Sequence, residues 1–302
     1  MGKLIVIAGT NASGKSGLGV ELASRYGGEI VSADSRQVFR GLDLGSGKIM
    51  PQEMRGVPHH LIDVCQPGDF FSMADFQRLA YAAIDGIQDR GKLPFLVGGT
   101  GLYVDAEAEG YELSNRAPDL ALRAELETHT TPELYQMLQE KLPGTEIDPR
   151  NRNRVMRALE RLAADDYHPG KRQPRYEVLK LGVSWDRETL KQRIDERLER
   201  RLRDGMVQEV QGLLDAGVSR EFLMKLGLEY RYLTRYLDGE LTYEQMVLEL
   251  GNAIKKFAKR QVTWFKKDPA IHWLDMRADP AAQAAALIDR FLDGDGDGNG
   301  ER

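Results

Sequence analysis

Short apolar runs along this chain alternate with longer segments in which apolar residues recur every three or four positions. The first run, Lys3 to Ala8, is rich in β-branched residues and has no polar side chain after Lys3, which is typical of a strand buried on both faces of a parallel sheet. After a glycine-rich turn, Leu18, Leu22 and Tyr26 recur at helical spacing until Gly27, a common residue at a helix end. The pattern predicts a buried strand and then a helix.

The same pattern predicts the later elements. Strands are expected at Glu29 to Ala33, Leu93 to Val97, Tyr176 to Ser184 and Ala270 to Leu274. Helices are expected at Met73 to Asp89, Arg187 to Ala216 and Tyr243 to Phe265. Because strands and helices alternate, we predict an α/β fold whose core is a doubly wound parallel sheet.

One segment, from about Leu113 to Pro174, is charged and helical in pattern and has no strand candidate. We predict an inserted helical domain at 113–175, a core made of 1–112 and 176–280, and a terminal helix with a flexible tail at 281–302. The tail opens like a calcium loop at Asp293, but the glutamate required at the twelfth position would fall beyond Arg302. We therefore expect no calcium site there.

The composition is that of a folded protein, but its charge is unevenly distributed. Hydrophobic residues make up 41% of the 302 residues and charged residues 29%, which is too little bias for general disorder. The net charge of −5 argues at first against a nucleic-acid partner, yet Arg150 to Arg203 carries 16 Lys and Arg against 9 Asp and Glu, and Ala253 to Lys267 carries 6 against none. Such clusters suit a protein that grips a polyanion, although ordinary charged helix faces look similar.

Other classes are excluded by what the sequence lacks. Cys65 is the only cysteine, which rules out an internal disulfide and a zinc site built from several cysteines. No apolar run approaches the roughly 20 residues of a membrane span or forms a signal-peptide core, so we predict a cytoplasmic protein that does not contact membranes. His59 and His60 point to opposite faces of an extended chain and make a poor metal-binding pair.

A phosphate-binding motif, G-x-x-x-x-G-K-[ST], is matched in full between the first strand and the first helix. Its residues are Gly9, Thr10, Asn11, Ala12, Ser13, Gly14, Lys15 and Ser16. The glycines let backbone amides converge on phosphate oxygens at a helix N-terminus, the lysine can bridge terminal phosphates, and the serine can ligate Mg²⁺. This motif, which many ATP- and other nucleotide-binding proteins share, predicts a P-loop.

Nucleotide hydrolysis is poorly supported. It normally uses an acidic residue after a second buried strand to hold Mg²⁺, but the strand Leu93 to Val97 is followed by Gly98-Gly99-Thr100-Gly101. The guanine-reading sequence N-K-x-D is also absent. The hydroxyl of Thr100 could instead stabilise charge on a departing phosphate, and an ordinary tight turn is the alternative.

An acidic residue does follow the second predicted strand, in Ser32-Ala33-Asp34-Ser35-Arg36-Gln37. A doubly wound sheet places Asp34 at the same edge as the P-loop. There the carboxylate can accept a proton from a nucleophile that attacks a phosphate-activated carbon or phosphorus. Because Gln37 follows three residues later, a helix capping box is the competing interpretation of Asp34.

A basic helix is predicted after Asp148-Pro149. Four arginines, Arg150, Arg154, Arg157 and Arg161, fall on one helical stripe, and Val155, Leu159 and Leu162 form an apolar stripe on another face. Arginines at these spacings repel one another without interleaved acids, so an anion-binding face is favoured over a plain solvated one. Guanidinium groups suit backbone phosphates, and Asn151 or Asn153 could reach base edges.

Together these residues resemble the tRNA dimethylallyltransferases, also called tRNA isopentenyltransferases, of the bacterial type. The matching segments cover nearly the whole chain: Gly9 to Ser16, Ser32 to Phe39, His59 to Asp63, Ser72 to Phe76, Gly98 to Tyr103, Asn153 to Glu160, Gly227 to Tyr230, and Ala258 to Trp264. The chain departs from the family pattern at Thr10, Ser16 and Asn153, and Gly227-Leu228-Glu229-Tyr230 is a longer variant of the usual Gly-Tyr.

The resemblance implies a substrate and a chemistry. The P-loop would hold the diphosphate of dimethylallyl diphosphate, and Asp34 would accept a proton from the N6 amino group of the adenosine 3′ of the anticodon as that group attacks the allylic carbon. Lys15, Thr100 and Ser16, the last through Mg²⁺, would stabilise the leaving diphosphate. A basic residue near Lys225, which the pattern does not single out, is expected to assist them.

The resemblance also implies tRNA contacts, and we expect a monomeric protein. The residues expected to face the tRNA anticodon stem-loop are Asp34, Ser35, Arg36, Gln37, Thr100, Arg123, Asn153, Arg154, Val155, Met156 and Arg157. Three alternatives remain: an adenylate isopentenyltransferase acting on a free nucleotide, a P-loop small-molecule kinase, and a noncatalytic tRNA-binding protein. The basic insertion argues against the first, and the missing second acid argues against the second.

Overall fold

The computed structural model describes residues 1–113, 119–167 and 172–294. In these residues six strands form one sheet of order β3-β2-β4-β1-β5-β6, and every pair of neighbouring strands is parallel. The strands are β1 Gly2–Ala8, β2 Glu29–Ala33, β3 His59–His60, β4 Pro94–Gly98, β5 Tyr176–Ser184 and β6 Ile271–Asp275. The predicted α/β class with a parallel sheet is confirmed.

Both faces of the sheet are buried, as the apolar run at the start of the chain predicts. In β1, Leu4 and Val6 pack on one side with Phe76 of a covering helix, whereas Ile5 and Ile7 pack on the other. All four strand residues are 0% exposed. Because both faces of β1 are buried, its residues are apolar at consecutive positions and do not alternate between apolar and polar.

The helices of the core cover the sheet and extend beyond it. They are α1 Lys15–Arg25, α2 Pro51–Met54, α3 Met73–Asp89, α4 Gly101–Ala108, α8 Arg187–Arg203, α9 Met206–Asp215, α10 Arg220–Leu226, α11 Leu228–Leu237, α12 Tyr243–Phe265 and α13 Pro280–Asp293. The predicted bounds of α3 and α12 are confirmed. The predicted single helix Arg187 to Ala216 is wrong: Gly205 adopts φ 103°, a left-handed conformation that ends one helix and starts the next.

The insertion forms a compact unit of its own, Tyr111–Gln173, and the remainder of the chain forms the other unit. Its helices are α5 Leu120–Glu127, α6 Thr131–Lys141 and α7 Arg152–Ala163. They enclose a separate apolar core that includes Leu134, Leu138 and Leu159. The observed unit begins and ends two residues earlier than the predicted insertion at 113–175.

Two predictions concern the ends and surroundings of the fold. The predicted terminal helix is α13, whereas the predicted flexible tail and its calcium-like start fall largely on residues 295–302, which lie outside the described residues. Within the described ranges, no helix is long and apolar enough to cross a membrane.

Candidate active site at the carboxyl ends of three strands

Three motifs meet at one edge of the sheet because β1, β2 and β4 are parallel neighbours. In register, Ala8 of β1 and Ala33 of β2 both lie beside Gly98 of β4. The P-loop, Asp34 and Thr100 leave the sheet within two residues of that level. The fold thus brings together residues as far apart in sequence as Gly9 and Thr100.

Neighbouring side chains fix the backbone of the P-loop. Gly14, at φ 92°, stands directly before α1 in a left-handed conformation that glycine adopts without strain. Trp185 Nε1 donates to the Ser13 carbonyl at 2.8 Å, and Arg193 Nε donates to the Ala12 carbonyl at 2.9 Å. These bonds hold the loop before any ligand binds.

The start of α1 lies in a strongly cationic cleft. Lys15 Nζ donates to the Thr10 carbonyl at 3.2 Å, and burial lowers the pKa of Lys15 to about 8 although the charge of Asp34 opposes the shift. The cleft is lined by Ala12, Ser13, Gly14, Lys15, Ser16, Gly17, Arg193, Glu196, Arg197 and Arg200. The arginines come from α8, and with Lys15 they can balance the charge of a diphosphate.

Sequence reasoning missed these α8 arginines. It counted them in the basic stretch and expected an Arg or Lys from the later helices to stabilise the diphosphate, but it did not single them out and looked for this residue near Lys225. Lys225 pairs with Glu221 at 2.6 Å and is not among the residues lining the cleft. The spacing of Arg193, Arg197 and Arg200 on one helix face was the available signal.

Asp34 lies in a tight turn, and no helix follows it, so the competing interpretation as a helix cap is wrong. Its Oδ1 accepts hydrogen bonds from the backbone amides of Arg36 at 2.9 Å and Gln37 at 3.4 Å. Its Oδ2 accepts none from the described part of the chain. Thr100 joins this turn, since its Oγ1 accepts a hydrogen bond from the Ser35 amide at 3.2 Å.

A small cavity lies between the P-loop and Asp34. Its polar lining comes from Lys15, Ser16, Ser32, Asp34, Gln37 and His59. Its apolar lining comes from Ile30, Ile49, Ile62 and Val97, with Gly98 at its edge. A carboxylate, a lysine and an apolar wall therefore line one cavity.

Gln261 of α12 ties the P-loop to the turn after β4. Its Oε1 accepts a hydrogen bond from the Asn11 amide at 3.0 Å, and its Nε2 donates to the Gly99 carbonyl at 2.7 Å. The side chain is 7% exposed. A buried amide that satisfies two backbone groups fixes their spacing, because leaving either unpaired is costly.

The side chain of Arg36 is engaged within the protein, which argues against a side-chain contact with tRNA; the predicted tRNA contact itself stays a prediction. Arg36 is 8% exposed, and its guanidinium donates to Glu229 at 2.5 Å. A charge removed from water needs a countercharge, and Glu229 supplies it. Ser35 and Gln37 are only partly buried, so their predicted contacts stay predictions.

For a divalent cation, the predicted ligand is the Ser16 hydroxyl at the start of α1. Among the described residues no three His, Cys, Asp or Glu side chains group as a metal site. This donor set fits Mg²⁺, which commonly takes one or two protein ligands together with substrate phosphates and water. Each of the two histidines uses one ring nitrogen within the protein: His60 Nε2 donates to Glu29 at 2.7 Å, and His59 Nδ1 donates to the Val57 carbonyl at 2.8 Å.

The predicted arginine stripe is partly present in the insertion. Asn151 caps α7 by accepting a hydrogen bond from the Arg154 amide at 3.2 Å. Arg150 therefore precedes the helix, contrary to prediction, and it pairs with Asp148 at 3.0 Å. Arg161 Nε donates to the Asp166 carbonyl at 3.0 Å. Of the four arginines, Arg154 and Arg157 are the two that are exposed and also form no ion pair within the described residues.

Other predicted contacts of α7 have structural roles. Val155 is 0% and Met156 8% exposed within the insert's own core, so their side chains pack internally, and the tRNA contact predicted for this segment stays a prediction. Arg123 donates to Glu160 at 3.0 Å and joins α5 to α7. Asn153 is exposed, so its predicted tRNA contact stays a prediction, as does that of Arg123.

Comparison with known proteins identifies the family. The family model described as IPP transferase matches residues 37–268. The chain belongs to the IPP transferase family. It is 45% identical to tRNA dimethylallyltransferase 2 of Shewanella sediminis, with 94% of this chain and 97% of that protein aligned. It is 37% identical to tRNA dimethylallyltransferase of Geobacillus thermodenitrificans, with 96% and 95% aligned.

Solved structures of this family share the fold. The tRNA isopentenylpyrophosphate transferase of Bacillus halodurans superposes with a TM-score of 0.74 at 38% identity, covering 97% of this chain and 96% of that one. A eukaryotic dimethylallyltransferase acting on tRNA superposes with a TM-score of 0.82 at 25% identity, covering 97% and 80%. The resemblance seen in the sequence motifs therefore extends to the fold and to nearly the full length.

Proposed function

We propose that this protein transfers the dimethylallyl group of dimethylallyl diphosphate to the N6 amino group of the adenosine 3′ of the anticodon in tRNA. Membership of the IPP transferase family supports the transferase class. The observation that carries the finer assignment is the cavity in which Lys15 and Asp34 face an apolar wall. One end suits a diphosphate, and the wall suits a five-carbon allylic group.

In this reaction the N6 lone pair of adenine attacks C1 of the dimethylallyl group. The C1–O bond breaks, and the diphosphate leaves with its electron pair. One N6 proton passes to Asp34 Oδ2 and then to solvent, so the products are N6-dimethylallyladenosine in tRNA and diphosphate. The exocyclic amine is a weak nucleophile because its lone pair is delocalised into the ring, so charge stabilisation of the leaving group is central to the rate.

Each group at the site has a defined task in this proposal. Lys15 and the α8 arginines Arg193, Arg197 and Arg200 hold the diphosphate and balance its growing charge. The Thr100 hydroxyl binds the Ser35 amide and so keeps the Asp34 turn against the strand end. Mg²⁺, held by Ser16, would supply further positive charge to the leaving diphosphate.

The tRNA would have to present its adenosine unstacked, at a cost of a few kcal/mol. Phosphate contacts from Arg154 and Arg157 would offset part of that cost. Because the P-loop holds a diphosphate whose C–O bond breaks, no hydrolytic water is required, which accounts for the absent acid after β4. A monomeric, cytoplasmic enzyme is part of the same proposal.

The test is to incubate the protein with Mg²⁺, dimethylallyl diphosphate and an adenosine-containing anticodon stem-loop and to weigh the RNA. We expect a gain of one dimethylallyl mass, which ATP does not replace as donor. Free AMP in place of the stem-loop should be a poor acceptor. Preferred modification of AMP would favour an adenylate isopentenyltransferase, and ATP hydrolysis with no RNA modification would favour a kinase.

A further inference from the structure

A buried ion-pair network lies directly behind the Asp34 turn. Arg36 contributes its backbone amide to Asp34 Oδ1 at 2.9 Å and its guanidinium to Glu229 Oε2 at 2.5 Å. Glu229 also accepts from Arg201 at 3.1 Å. One residue thus connects the carboxylate of Asp34 to a carboxylate on α11, which lies 193 positions from Arg36 in sequence.

Glu229 is held firmly in its ionised form. The residue is 1% exposed. Burial alone would raise the pKa of Glu229, but the charges of Arg36 and Arg201 outweigh it and lower the pKa to about 2. A fixed charge at this point gives the Arg36 guanidinium one preferred position.

The second arginine anchors Glu229 to the body of the protein. Arg201 donates to the carbonyls of Leu44 and Gly45 as well as to Glu229. Glu209 accepts the amides of the same loop, including Gly45 at 2.9 Å. Glu229 therefore sits on a rigid support rather than on a mobile surface.

We infer that Glu229 is a positioning residue for Asp34, acting through Arg36, and this inference rests on the proposed function. By fixing Arg36, Glu229 holds the amide that engages Asp34 Oδ1 and leaves Oδ2 directed to take up the proton. Glu229 does not touch substrate and is not a catalytic residue. No sequence pattern pointed to this link, because Glu229 appeared only as part of a longer variant of Gly-Tyr.

Stability alone does not require such a network. Replacing a buried ion pair by apolar residues of similar size is often neutral for stability, whereas removing one partner is destabilising. The buried charges are therefore better explained by the geometry they impose on the turn. That distinction can be measured, because a positioning role must act through Asp34.

The experiment is a double-mutant cycle on turnover at saturating stem-loop and dimethylallyl diphosphate. Arg36→Met and Glu229→Gln should each lower kcat by about 10- to 100-fold, with KM for both substrates within about threefold. Combined with Asp34→Asn, either substitution should lower kcat by no more than about twofold beyond Asp34→Asn alone. Full multiplication of the two effects would overturn the inference.

Two further variants keep the test decisive. Arg36→Lys keeps a positive charge beside Glu229, so this variant should fold even if Glu229→Gln does not. Its kcat should lie between those of the parent and of Arg36→Met. Arg40→Met is the matched control, because Arg40 is exposed and its guanidinium donates to the Asp63 carbonyl, at 2.9 Å, rather than to the network. Its kcat should stay within about twofold of the parent, and an equal loss in Arg40→Met would contradict a specific role of Arg36.

The outcome also separates this inference from the proposed function. If Asp34→Asn keeps full turnover, the assignment of Asp34 as proton acceptor fails, whatever Glu229 does. If Asp34→Asn is severely impaired but Glu229→Gln and Arg36→Lys, both folded, retain the parent kcat, the proposed function stands and the positioning role fails.

Discussion

One arginine of the core and two of the insertion come from the same basic stretch of sequence, yet they have opposite surroundings. Arg201 lies in the same basic stretch as Arg154, but it is 8% exposed and binds Glu229. Arg154 and Arg157 are exposed and have no ion-pair partner in the described ranges. Local charge density therefore does not distinguish an arginine that organises a site from one that can bind a polyanion.

The difference follows from the cost of removing charge from water. A buried guanidinium must form hydrogen bonds with a carboxylate and with carbonyls, because an unpaired buried charge is costly. Its position is therefore fixed, and its charge is neutralised within the protein. An exposed guanidinium next to another is mildly destabilising and remains available for phosphate. We expect changes in the buried group to alter turnover, and changes in the exposed pair to alter affinity.

The largest effect is expected at the carboxylate that the buried network supports. Asp34→Asn should lower turnover by about 10²- to 10⁴-fold, the usual contribution of a positioned base. Affinity for the stem-loop should stay within a few-fold, because the amide keeps the shape and the Oδ1 contacts. Single-turnover rates and a binding titration on the same preparation check both. Nearly unchanged turnover would mean that Asp34 only stabilises its turn and does not accept the proton.

A smaller effect, on affinity alone, is expected from the exposed pair. Replacing Arg154 and Arg157 with Ala should weaken tRNA binding about tenfold and reduce the salt slope of log K by about 0.7 to 0.9 for each phosphate that is no longer neutralised. Folding should survive because the buried Val155 and Leu159 are untouched. Donor affinity should not change.

The check is a titration of labelled tRNA at several salt concentrations. Arg150→Ala is the matched control, because Arg150 is exposed but already paired with Asp148. It should change the slope less than either single substitution at Arg154 or Arg157. If the double variant keeps the salt slope of log K unchanged, the tRNA binds to another surface, and Ala253 to Lys267 is the next candidate.

Removing the buried amide between the P-loop and the turn after β4 should affect the donor. Gln261→Leu leaves the Asn11 amide and the Gly99 carbonyl without their partner, a cost of roughly 1–3 kcal/mol. We expect affinity for dimethylallyl diphosphate to fall about tenfold, as measured by calorimetry. Thr263→Val on the exposed face of the same helix should bind normally, and equal losses in both variants would point to general damage to α12.

The smallest effect on function, but a clear one on stability, is expected at a buried carboxyl without a hydrogen-bond partner. Glu107 is 0% exposed, and its oxygens accept no hydrogen bond in the described structure. Burial raises the pKa of Glu107 to about 9, although Arg175 opposes the shift. Glu229, equally buried but paired with two arginines, is shifted in the opposite direction.

The sign of this shift predicts a pH dependence. Between the ordinary pKa near 4.5 and about 9, the unfolded chain has lost the Glu107 proton while the folded protein keeps it, so stability falls as pH rises. Glu107→Gln removes that slope, which is at most about 1.4 kcal/mol per pH unit. The variant should melt above the parent at about pH 8.5 and close to it at about pH 5. Parallel melting curves at all pH values would contradict the buried-acid assignment.

Motifs contained within a short segment were predictable from sequence. The P-loop needs eight neighbouring residues and a strand-to-helix junction, so Gly9 to Ser16 was found directly. Asp34 and Thr100 followed from the rule that the carboxyl ends of parallel strands share an edge. The apolar stripe of α7 was likewise visible, because helical periodicity reports burial.

Partners that lie far apart in sequence were not predictable. Gln261 reaches Asn11 across 250 positions, and Arg36 reaches Glu229 across 193. The family resemblance assigned Arg36 to tRNA, and an arginine in a motif carries no sign of whether it will be buried. The α8 arginines were missed for the same reason, since only the packing of α8 against the P-loop gives them a ligand to face.

Local periodicity and short motifs were enough to predict the parallel sheet and the chemical types at its edge, and the motifs together carried the resemblance to the family that the comparisons then showed. Only the tertiary structure decides which charged side chains pair with one another inside the protein and which stay exposed for a ligand. The distinction depends on desolvation, which is set by the folded surroundings of each side chain. The guanidinium of Arg36 is buried and paired with Glu229, whereas those of Arg154 and Arg157 on α7 are exposed and can bind a phosphate.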